Sequence, residues 1–439
     1  MERCRDSRKG CDVSVRSLAA LAVPCLAIGL AACAGDAGTT PSTGSGTPAL
    51  GGAGQATGEV AVYSSLPLNG ASKEQASAIV DGIKLALKQA GNKAGTVQVK
   101  YESLDDSTVR EGKWELNQVA SNARKVAQDK GSVAVIGEFD SEATKVSLPI
   151  LNQLGVAQIS PANTLAGLTV DGPGSAPGEP ERFQQTGKRT YARLVPRDTV
   201  QATALATQMK NDGCTNIAVA SDKSDYGAGL AKGAETSLKK QGASVVASEG
   251  IQNDAAYLRG VADKLKRLGA DCFLLGGVTA NGAIRIYRQV AAALPDAKLY
   301  GGDSVCESSL TNPEKGGIPA KVGKNFACTL PTLDLRSYPG GEEFVKAFSE
   351  EYDEDSPDPY AIYGYEAMQL TLDTIRAAGK AGATREGFIA QLFKTKDRDS
   401  VLGKYSIDAS GDTSLTDYGL YKVGPDGDPL YDSTIKAAG

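Results

Sequence analysis

The 439-residue sequence contains no histidine and only one tryptophan. Without histidine, the chain cannot build a Ser-His-Asp triad, a Cys-His pair or an HExxH zinc site, and it has no imidazole to transfer protons near neutral pH. Carboxylates or lysines could still catalyse a reaction. The absence nevertheless favours a protein that is not an enzyme, and we expect no catalytic residues, no cofactor and no metal site.

The sequence also has no excess of basic residues. Its 47 Lys and Arg against 52 Asp and Glu give a formal net charge of −5. A surface that binds nucleic acid needs a basic excess, so nucleic acid is not an expected partner. With 41% apolar and 23% charged residues, the composition is that of an ordinary globular chain long enough for two or more cores.

Residues 1–33 are predicted to be a lipoprotein signal peptide. Basic residues precede an apolar run that is too short for a comfortable transmembrane helix. The run ends in LAAC, Leu30–Cys33, which resembles a bacterial lipobox and implies cleavage before Cys33 and acylation of its thiol. The alternative is an ordinary signal peptide with a chance cysteine.

Residues 34–57 are rich in Gly, Ser, Thr, Ala and Pro and predict a flexible tether with a reach of about 25–30 Å. The mature protein is therefore expected outside the cytoplasm, held to the cell membrane by its lipid alone.

From Glu59 onward, short β-rich apolar runs alternate with amphipathic helical stretches. One series begins at Val60–Leu66 and a second begins at Asn216–Asp222. This alternation predicts right-handed βαβ crossovers and parallel sheets covered on both faces. Two such series predict an α/β fold of two doubly wound lobes. Near the C-terminus, helices precede a predicted β-hairpin that turns at Gly411-Asp412.

Four of the eight cysteines lie beyond the signal peptide: Cys214, Cys272, Cys306 and Cys328. In an oxidising compartment they could pair in three ways, and four buried free thiols are the alternative. In a sheet of order 2-1-3, the first and third strands of the second series are neighbours, and Cys214 and Cys272 lie at their amino ends. A Cys214–Cys272 disulfide is therefore natural and leaves Cys306 to pair with Cys328.

Two loops of the first series could bind an anion. Ser141 follows one predicted strand at the start of a helix, and Thr164 follows the next strand in the segment SPANT. Adjacent loops of a parallel sheet would present both hydroxyls beside the free N–H groups of a helix N-terminus, where a carboxylate is stabilised. Pro161 would hold the second loop extended. Both residues could instead be simple capping and turn residues.

Five segments occur in an order that resembles a known family: SSLPLNG (64–70), VIGEFDSEAT (135–144), ISPANTLAGLT (159–169), DYGAGLA (225–231) and YGGDS (300–304). They resemble the type I periplasmic solute-binding proteins of ABC importers, specifically the leucine/isoleucine/valine-binding family. The resemblance covers nearly all of the chain from about Glu59. It implies two lobes joined by three crossovers, with lobe 1 at 58–190 and 332–398 and lobe 2 at 191–331 and 399–439. It also implies a monomer that clamps an amino acid between the lobes and delivers it to the permease of an ABC importer.

Carried over residue by residue, the resemblance implies the ligand-binding residues Ser141, Ala162, Thr164, Tyr226, Asp303 and Tyr363. The first three would bind the carboxylate and help to hold the ammonium, partly through main-chain groups. Tyr226 would close from the opposite lobe, and Asp303 would face the ammonium.

The side-chain pocket is the least specific part of this resemblance. Its aromatic wall could be Tyr360, Tyr363 or Tyr365, of which Tyr363 is favoured. Asp303 is shorter than the glutamate that the family uses, and branched-chain specificity is therefore left open. Another small polar ligand (an amide, urea or aromatic acid) and a role as a tethered extracellular sensor are the alternatives.

Overall fold

The computed structural model describes residues 58–437. The predicted signal peptide, the predicted lipidation site Cys33 and the predicted tether lie outside the described residues. Among residues 58–437, no helix combines the length and the apolar character that crossing a bilayer requires.

The first sheet has six strands in the order β2-β3-β1-β6-β7-β8. These strands are β1 (Glu59–Leu66), β2 (Lys93–Ala94), β3 (Val97–Asp105), β6 (Ser132–Gly137), β7 (Ala157–Ser160) and β8 (Tyr191–Arg193), while β4 (Ser107–Thr108) and β5 (Lys113–Trp114) form a separate hairpin. All pairings in the sheet are parallel except that of β2 with β3. Every residue of β6 is buried, as expected for a central strand covered on both faces.

The second sheet has seven strands in the order β10-β9-β11-β12-β13-β16-β17. These strands are β9 (Asn216–Ser221), β10 (Ser244–Gly250), β11 (Cys272–Gly276), β12 (Lys298–Gly301), β13 (Phe326–Leu330), β16 (Asp417–Val423) and β17 (Pro429–Lys436). The first five run parallel, and β16 and β17 add an antiparallel edge.

Helices cover both sheets. They are α1 (Lys73–Gln89), α2 (Leu116–Gln128), α3 (Ser141–Gln153), α4 (Asp198–Asn211), α5 (Asp225–Lys240), α6 (Ala255–Arg267), α7 (Ala283–Ala293), α8 (Ser308–Thr311), α9 (Ala320–Gly323), α10 (Gly341–Tyr352), α11 (Ala361–Ala378) and α12 (Arg385–Leu392). The chain leaves the first sheet after β8, returns to it when α11 packs against α1, and enters the second sheet again at β16. We call each sheet with its helices a lobe, the first lobe and the second lobe. The predicted α/β fold of two parallel-sheet lobes joined by three crossovers is confirmed, and the numbered lobe boundaries stay a prediction.

The predicted C-terminal hairpin is present only as a short turn. Around Gly411-Asp412, Ile407 and Thr413 form an antiparallel bridge, and the Gly411 N–H donates to the Asp408 carbonyl at 3.1 Å. The strand before it, β15 (Gly403–Tyr405), pairs with β14 (Arg398–Ser400), whereas β16 pairs with β13 and β17. Alternating apolar residues indicate a strand but not its partner, and here the open edge of the second sheet provides the partner.

Both predicted disulfides are present. Cys214 pairs with Cys272, with a Cα–Cα distance of 5.8 Å, and Cys306 pairs with Cys328, with a Cα–Cα distance of 5.5 Å. The first joins the amino ends of the neighbouring strands β9 and β11, as the 2-1-3 strand order predicts.

Candidate functional site

The loops after β6 and β7 meet at Ser141 and Thr164, and both residues are buried. Ser141 is the first residue of α3, and its Oγ accepts a hydrogen bond from the Leu165 N–H at 3.4 Å. The Asp140 side chain does not cap α3. The first N–H groups of this helix therefore have no side-chain cap, and together with the helix dipole they favour a bound anion.

The loop that contains Thr164 is fixed from within. Ser160 Oγ accepts hydrogen bonds from the Ala162 N–H at 3.2 Å and the Asn163 N–H at 2.8 Å. The Asn163 side chain donates to the Phe139 carbonyl at 2.7 Å and accepts from Thr144, which ties this loop to the neighbouring one. The N–H of Ala162 is therefore already used by Ser160 and is not free for a ligand carboxylate.

Arg193, at the end of β8, supports the same loop and was not predicted from the sequence. Its guanidinium is fully buried, donates to the carbonyls of Asn163 and Leu165 at 3.1 and 2.9 Å, and pairs with Asp412 at 2.8 Å. A buried arginine needs such partners to offset its desolvation. Little in the sequence indicated the Arg193–Asp412 ion pair, because the two residues are more than 200 positions apart.

Tyr226 and Asp303 come together in the second lobe. Tyr226 is in the first turn of α5, Asp303 is two residues after the end of β12, and the Tyr226 hydroxyl donates to Asp303 Oδ1 at 2.8 Å. Gly302 makes this approach possible, since a Cβ atom there would lie 2.4 Å from the tyrosine hydroxyl oxygen. Burial raises the pKa of Asp303 above its ordinary value.

Asp198 is a second buried carboxylate at this place, and it was also missed. It is the first residue of α4, its N–H donates to the Thr164 carbonyl at 2.7 Å, and its side chain is 2% exposed. Neither carboxylate oxygen has a hydrogen-bond partner. Burial and the nearby Asp303 raise the pKa of Asp198 to about 8. An unpartnered buried carboxylate is costly and therefore marks a place where a hydrogen-bond donor or a cation is expected.

Side chains from the two lobes also contact each other. Glu142 Oε1 accepts a hydrogen bond from the Tyr226 N–H at 3.1 Å, which places a carboxylate of α3 at the N-terminus of α5. Lys145 forms an ion pair with Asp225 at 2.6 Å, and Lys113 Nζ donates to Asn281 Oδ1 at 3.0 Å.

A cavity of about 310 Å³ lies between the lobes beside these contacts. Asp140 and Glu142, the sequence neighbours of Ser141, contribute to its wall, as do Lys113 and Trp114. The complete lining is Pro67, Ala71, Ser72, Gly112, Lys113, Trp114, Asp140, Glu142, Lys223, Ser224, Asp225, Val278, Ala280 and Asn281. Eight of these residues are polar or charged, and they include both acidic and basic side chains.

Tyr363 forms hydrogen bonds with residues that do not line the cavity. Its hydroxyl donates to the Pro331 carbonyl at 2.8 Å and lies 3.3 Å from the Tyr338 hydroxyl. Tyr360, the alternative considered from the sequence, packs edge-on against Phe139, the residue before Asp140. Of the predicted residues, Ser141 and Thr164 lie together in the first lobe and Tyr226 and Asp303 together in the second.

Comparison with known proteins gives consistent matches over most of the chain. Residues 64–428 match the family model described as periplasmic binding protein. The Leu/Ile/Val-binding protein homolog 1 of Brucella melitensis is 28% identical over 372 residues, which cover 84% of this chain and 91% of that protein.

Solved structures with the same fold carry different ligands. An ABC transporter substrate-binding protein from Desulfitobacterium hafniense in complex with Leu has 21% identity and a TM-score of 0.68, covering 85% of this chain and 100% of that one. A solute-binding protein of an ABC transporter from Rhodopseudomonas palustris in complex with p-hydroxybenzoic acid has 16% identity and a TM-score of 0.69, covering 87% and 98%. At these identities the likeness shows the fold alone, so the ligand must be argued from the side chains.

Proposed function

Because this chain belongs to the periplasmic binding protein family, we propose that it is an extracytoplasmic receptor that binds an α-amino acid between its lobes and delivers it to an ABC importer. Members of this family are solute-binding proteins, and the proposed role is binding rather than catalysis. The names of its relatives, such as the Leu/Ile/Val-binding protein homolog 1, support an amino acid as the ligand.

The anion site of the proposed receptor is the start of α3. Ser141 and the uncapped N–H groups of the helix would bind the ligand carboxylate, with the Thr164 hydroxyl beside them. Ala162 would contribute through its carbonyl, since its N–H donates to Ser160.

The ammonium site would be formed by Asp303 and Asp198. The observation that carries the proposal is the pairing of these buried carboxylates, one bonded to Tyr226 and the other without a partner, next to an uncapped helix N-terminus. A zwitterion offers the complementary charges, whereas an aromatic acid has no ammonium for the two aspartates.

The test is calorimetric titration of the refolded, ligand-free protein with L-amino acids and their methyl esters. Free acids should bind and esters should not, because esterification removes the carboxylate. Asp303→Ala should weaken binding by about 2–5 kcal/mol, since it removes one partner of a buried charge pair. Unchanged affinity in that variant would refute the ammonium site.

Membrane anchoring is a further part of the proposal. We infer that Cys33 is acylated and that residues 34–57 connect it to the folded part, so that the receptor stays close to its permease. The receptor would act as a monomer, because one chain supplies both walls of the cleft.

A further inference from the structure

The cavity between the lobes lies in an unusually acidic setting. Asp140 and Glu142 line it from the first lobe. Glu307 lies nearby in the second lobe, 4% exposed, with hydrogen bonds from Ser72 and Ser309. Asp198 and Asp303, at the proposed ammonium site, do not line the cavity but are close enough to its acidic residues to affect their charge.

Few cations balance these carboxylates. Lys145 is shared between Glu179 and Asp225, at 2.8 and 2.6 Å, and Arg193 is paired with Asp412. Lys113 faces Asp140 but donates to Asn281, and Lys223 is exposed at the rim.

Hydrogen bonds compensate the acidic groups only in part: Glu307 accepts from Ser72 and Ser309, and Asp303 accepts from Tyr226. Glu142 accepts from the N–H of Tyr226, but Asp140 does not cap its helix, and neither oxygen of the buried Asp198 has a partner. Burial together with Glu142 and Glu307 raises the pKa of Asp140 to about 8. The α-ammonium of one amino acid could satisfy Asp198 and Asp303 but would leave the cavity wall without a counter-charge.

We propose that the ligand is an α-amino acid with a cationic side chain, an ammonium or a guanidinium, whose charged end lies in the cavity beside Asp140 and Glu142. This inference rests on the proposed function and specifies its ligand class. The α-carboxylate binds at the start of α3, and the α-ammonium binds Asp303 and Asp198. The side chain extends past Trp114, whose ring can accept the hydrocarbon stem and attract the cation.

A branched aliphatic side chain fits this cavity poorly. It would leave the carboxyl groups of Asp140 and Glu142 against hydrocarbon without the hydrogen-bond donors that an ammonium or a guanidinium supplies. The apolar part of the wall, made by Pro67, Ala71, Trp114, Val278 and Ala280, can pack against the hydrocarbon stem of a cationic side chain. The volume of about 310 Å³ is at the lower end of the roughly 300–1,000 Å³ of small-molecule pockets and suits one amino-acid side chain.

The experiment compares ligands that differ only in the side-chain charge. Trp114 is the single tryptophan of the sequence and lines the cavity, so its fluorescence reports binding directly. The full-length protein, refolded free of ligand, is titrated with L-lysine against L-norleucine and with L-arginine against L-citrulline. The cationic member of at least one pair should bind about 30-fold or more tightly than its neutral partner.

Two variants locate the effect. Asp140→Asn with Glu142→Gln should reduce the preference for the cationic member to less than about threefold and keep weak binding of the neutral one, whereas Asp399→Asn, an exposed carboxylate, should keep the full preference. Thermal unfolding of each variant confirms that it folds. A preference that survives the double substitution overturns the assigned cavity.

The outcomes separate this inference from the proposed function. If leucine or norleucine binds as tightly as lysine and arginine, the cationic side chain is refuted and the amino-acid receptor stands. If no amino acid binds, both fail. If putrescine binds tightly and lysine does not, both fail as well, because a diamine has no carboxylate for α3.

Discussion

At the scale of single residues, the candidate site depends on a few buried polar groups. Tyr226 and Asp303 are held together by one hydrogen bond, and Gly302 leaves the space for it. Asp198 differs from this pair, because it is buried and its stabilising neighbours, Thr164 and Arg193, do not offset the effect of burial on its pKa. Binding and pH dependence should therefore respond to substitutions at these positions.

Tyr226→Phe should weaken amino-acid binding by about 1.5–3 kcal/mol, which is typical for loss of a hydrogen bond to a charged group. The reason is that Asp303 loses the donor that fixes its orientation. Trp114 fluorescence titration measures the effect. Tyr257→Phe is the matched control, since Tyr257 is exposed and its hydroxyl donates to the Gly250 carbonyl at 3.2 Å. Equal affinities of the two variants would contradict the role given to Tyr226.

Asp198 should make the stability of the unliganded protein fall as the pH rises. Its pKa is about 8 in the folded protein, raised by burial and by Asp303 and Glu142, while Thr164 and Arg193 act in the opposite direction. In the unfolded chain the pKa is about 3.9, so the folded state holds its proton more tightly and loses that advantage as the pH approaches 8. The free energy of unfolding should decrease by on the order of 3 kcal/mol between pH 5 and pH 8.

Urea unfolding at pH 5 and pH 8 measures this change. Asp198→Asn should decrease the pH dependence, because an amide does not titrate. A wild-type protein that is more stable at pH 8 than at pH 5, with Asp198→Asn behaving in the same way, would contradict the assignment.

At the scale of secondary-structure elements, the sequence predicts the strands and helices well but not every partner. The alternating series indicated the parallel sheets because buried strands and amphipathic helices have different periodicities. The pairing of β16 with β13 could not be predicted, since β13 is far away in sequence, whereas β15 pairs with its sequence neighbour β14. The Arg193–Asp412 pair and the position of Asp198 next to Thr164 likewise depend on contacts between segments that are separated in sequence.

The two disulfides should stabilise the second lobe to different extents. Cys214 and Cys272 are 58 residues apart, and Cys306 and Cys328 are 22 residues apart. In the chain-entropy description the longer loop contributes about 4 kcal/mol and the shorter about 3 kcal/mol. Cys214→Ser with Cys272→Ser should therefore lower the unfolding free energy more than Cys306→Ser with Cys328→Ser, as measured by urea unfolding. The reverse order would show that strain or packing outweighs loop length.

At the scale of the whole molecule, the family and the two-lobed fold are established, whereas the lipid anchor and the roles of the ligand-binding residues stay predictions. The order of five short segments was enough to indicate the family: four of them lie at the end of a strand, and DYGAGLA begins α5. The ligand class could not be predicted in the same way. It depends on side chains from both lobes that meet only after folding. For example, Glu142 of α3 accepts a hydrogen bond from the Tyr226 N–H at the start of α5.

Cys33→Ala should release the receptor from the membrane. Acylation requires the cysteine thiol, and no helix within residues 58–437 could replace the lipid as an anchor. Cell fractionation with immunoblotting should find most of the wild-type protein with the membrane and most of the variant outside it. Cys25→Ala, in the apolar part of the signal peptide, is the control and should stay with the membrane. A variant at Cys33 that also stays there would refute lipidation at this residue.

The crowded carboxylates also set a condition on bringing the lobes together. Like charges that approach in a space of low polarity repel one another, so closure must be accompanied either by protons or by a solute cation. Near neutral pH, Asp140 and Asp198, each with a pKa of about 8, hold protons, and the incoming solute supplies the counter-charge for the remaining carboxylates. We therefore expect the ligand-free receptor to keep its lobes apart. Only the ligand-bound receptor should adopt the closed form that the importer binds.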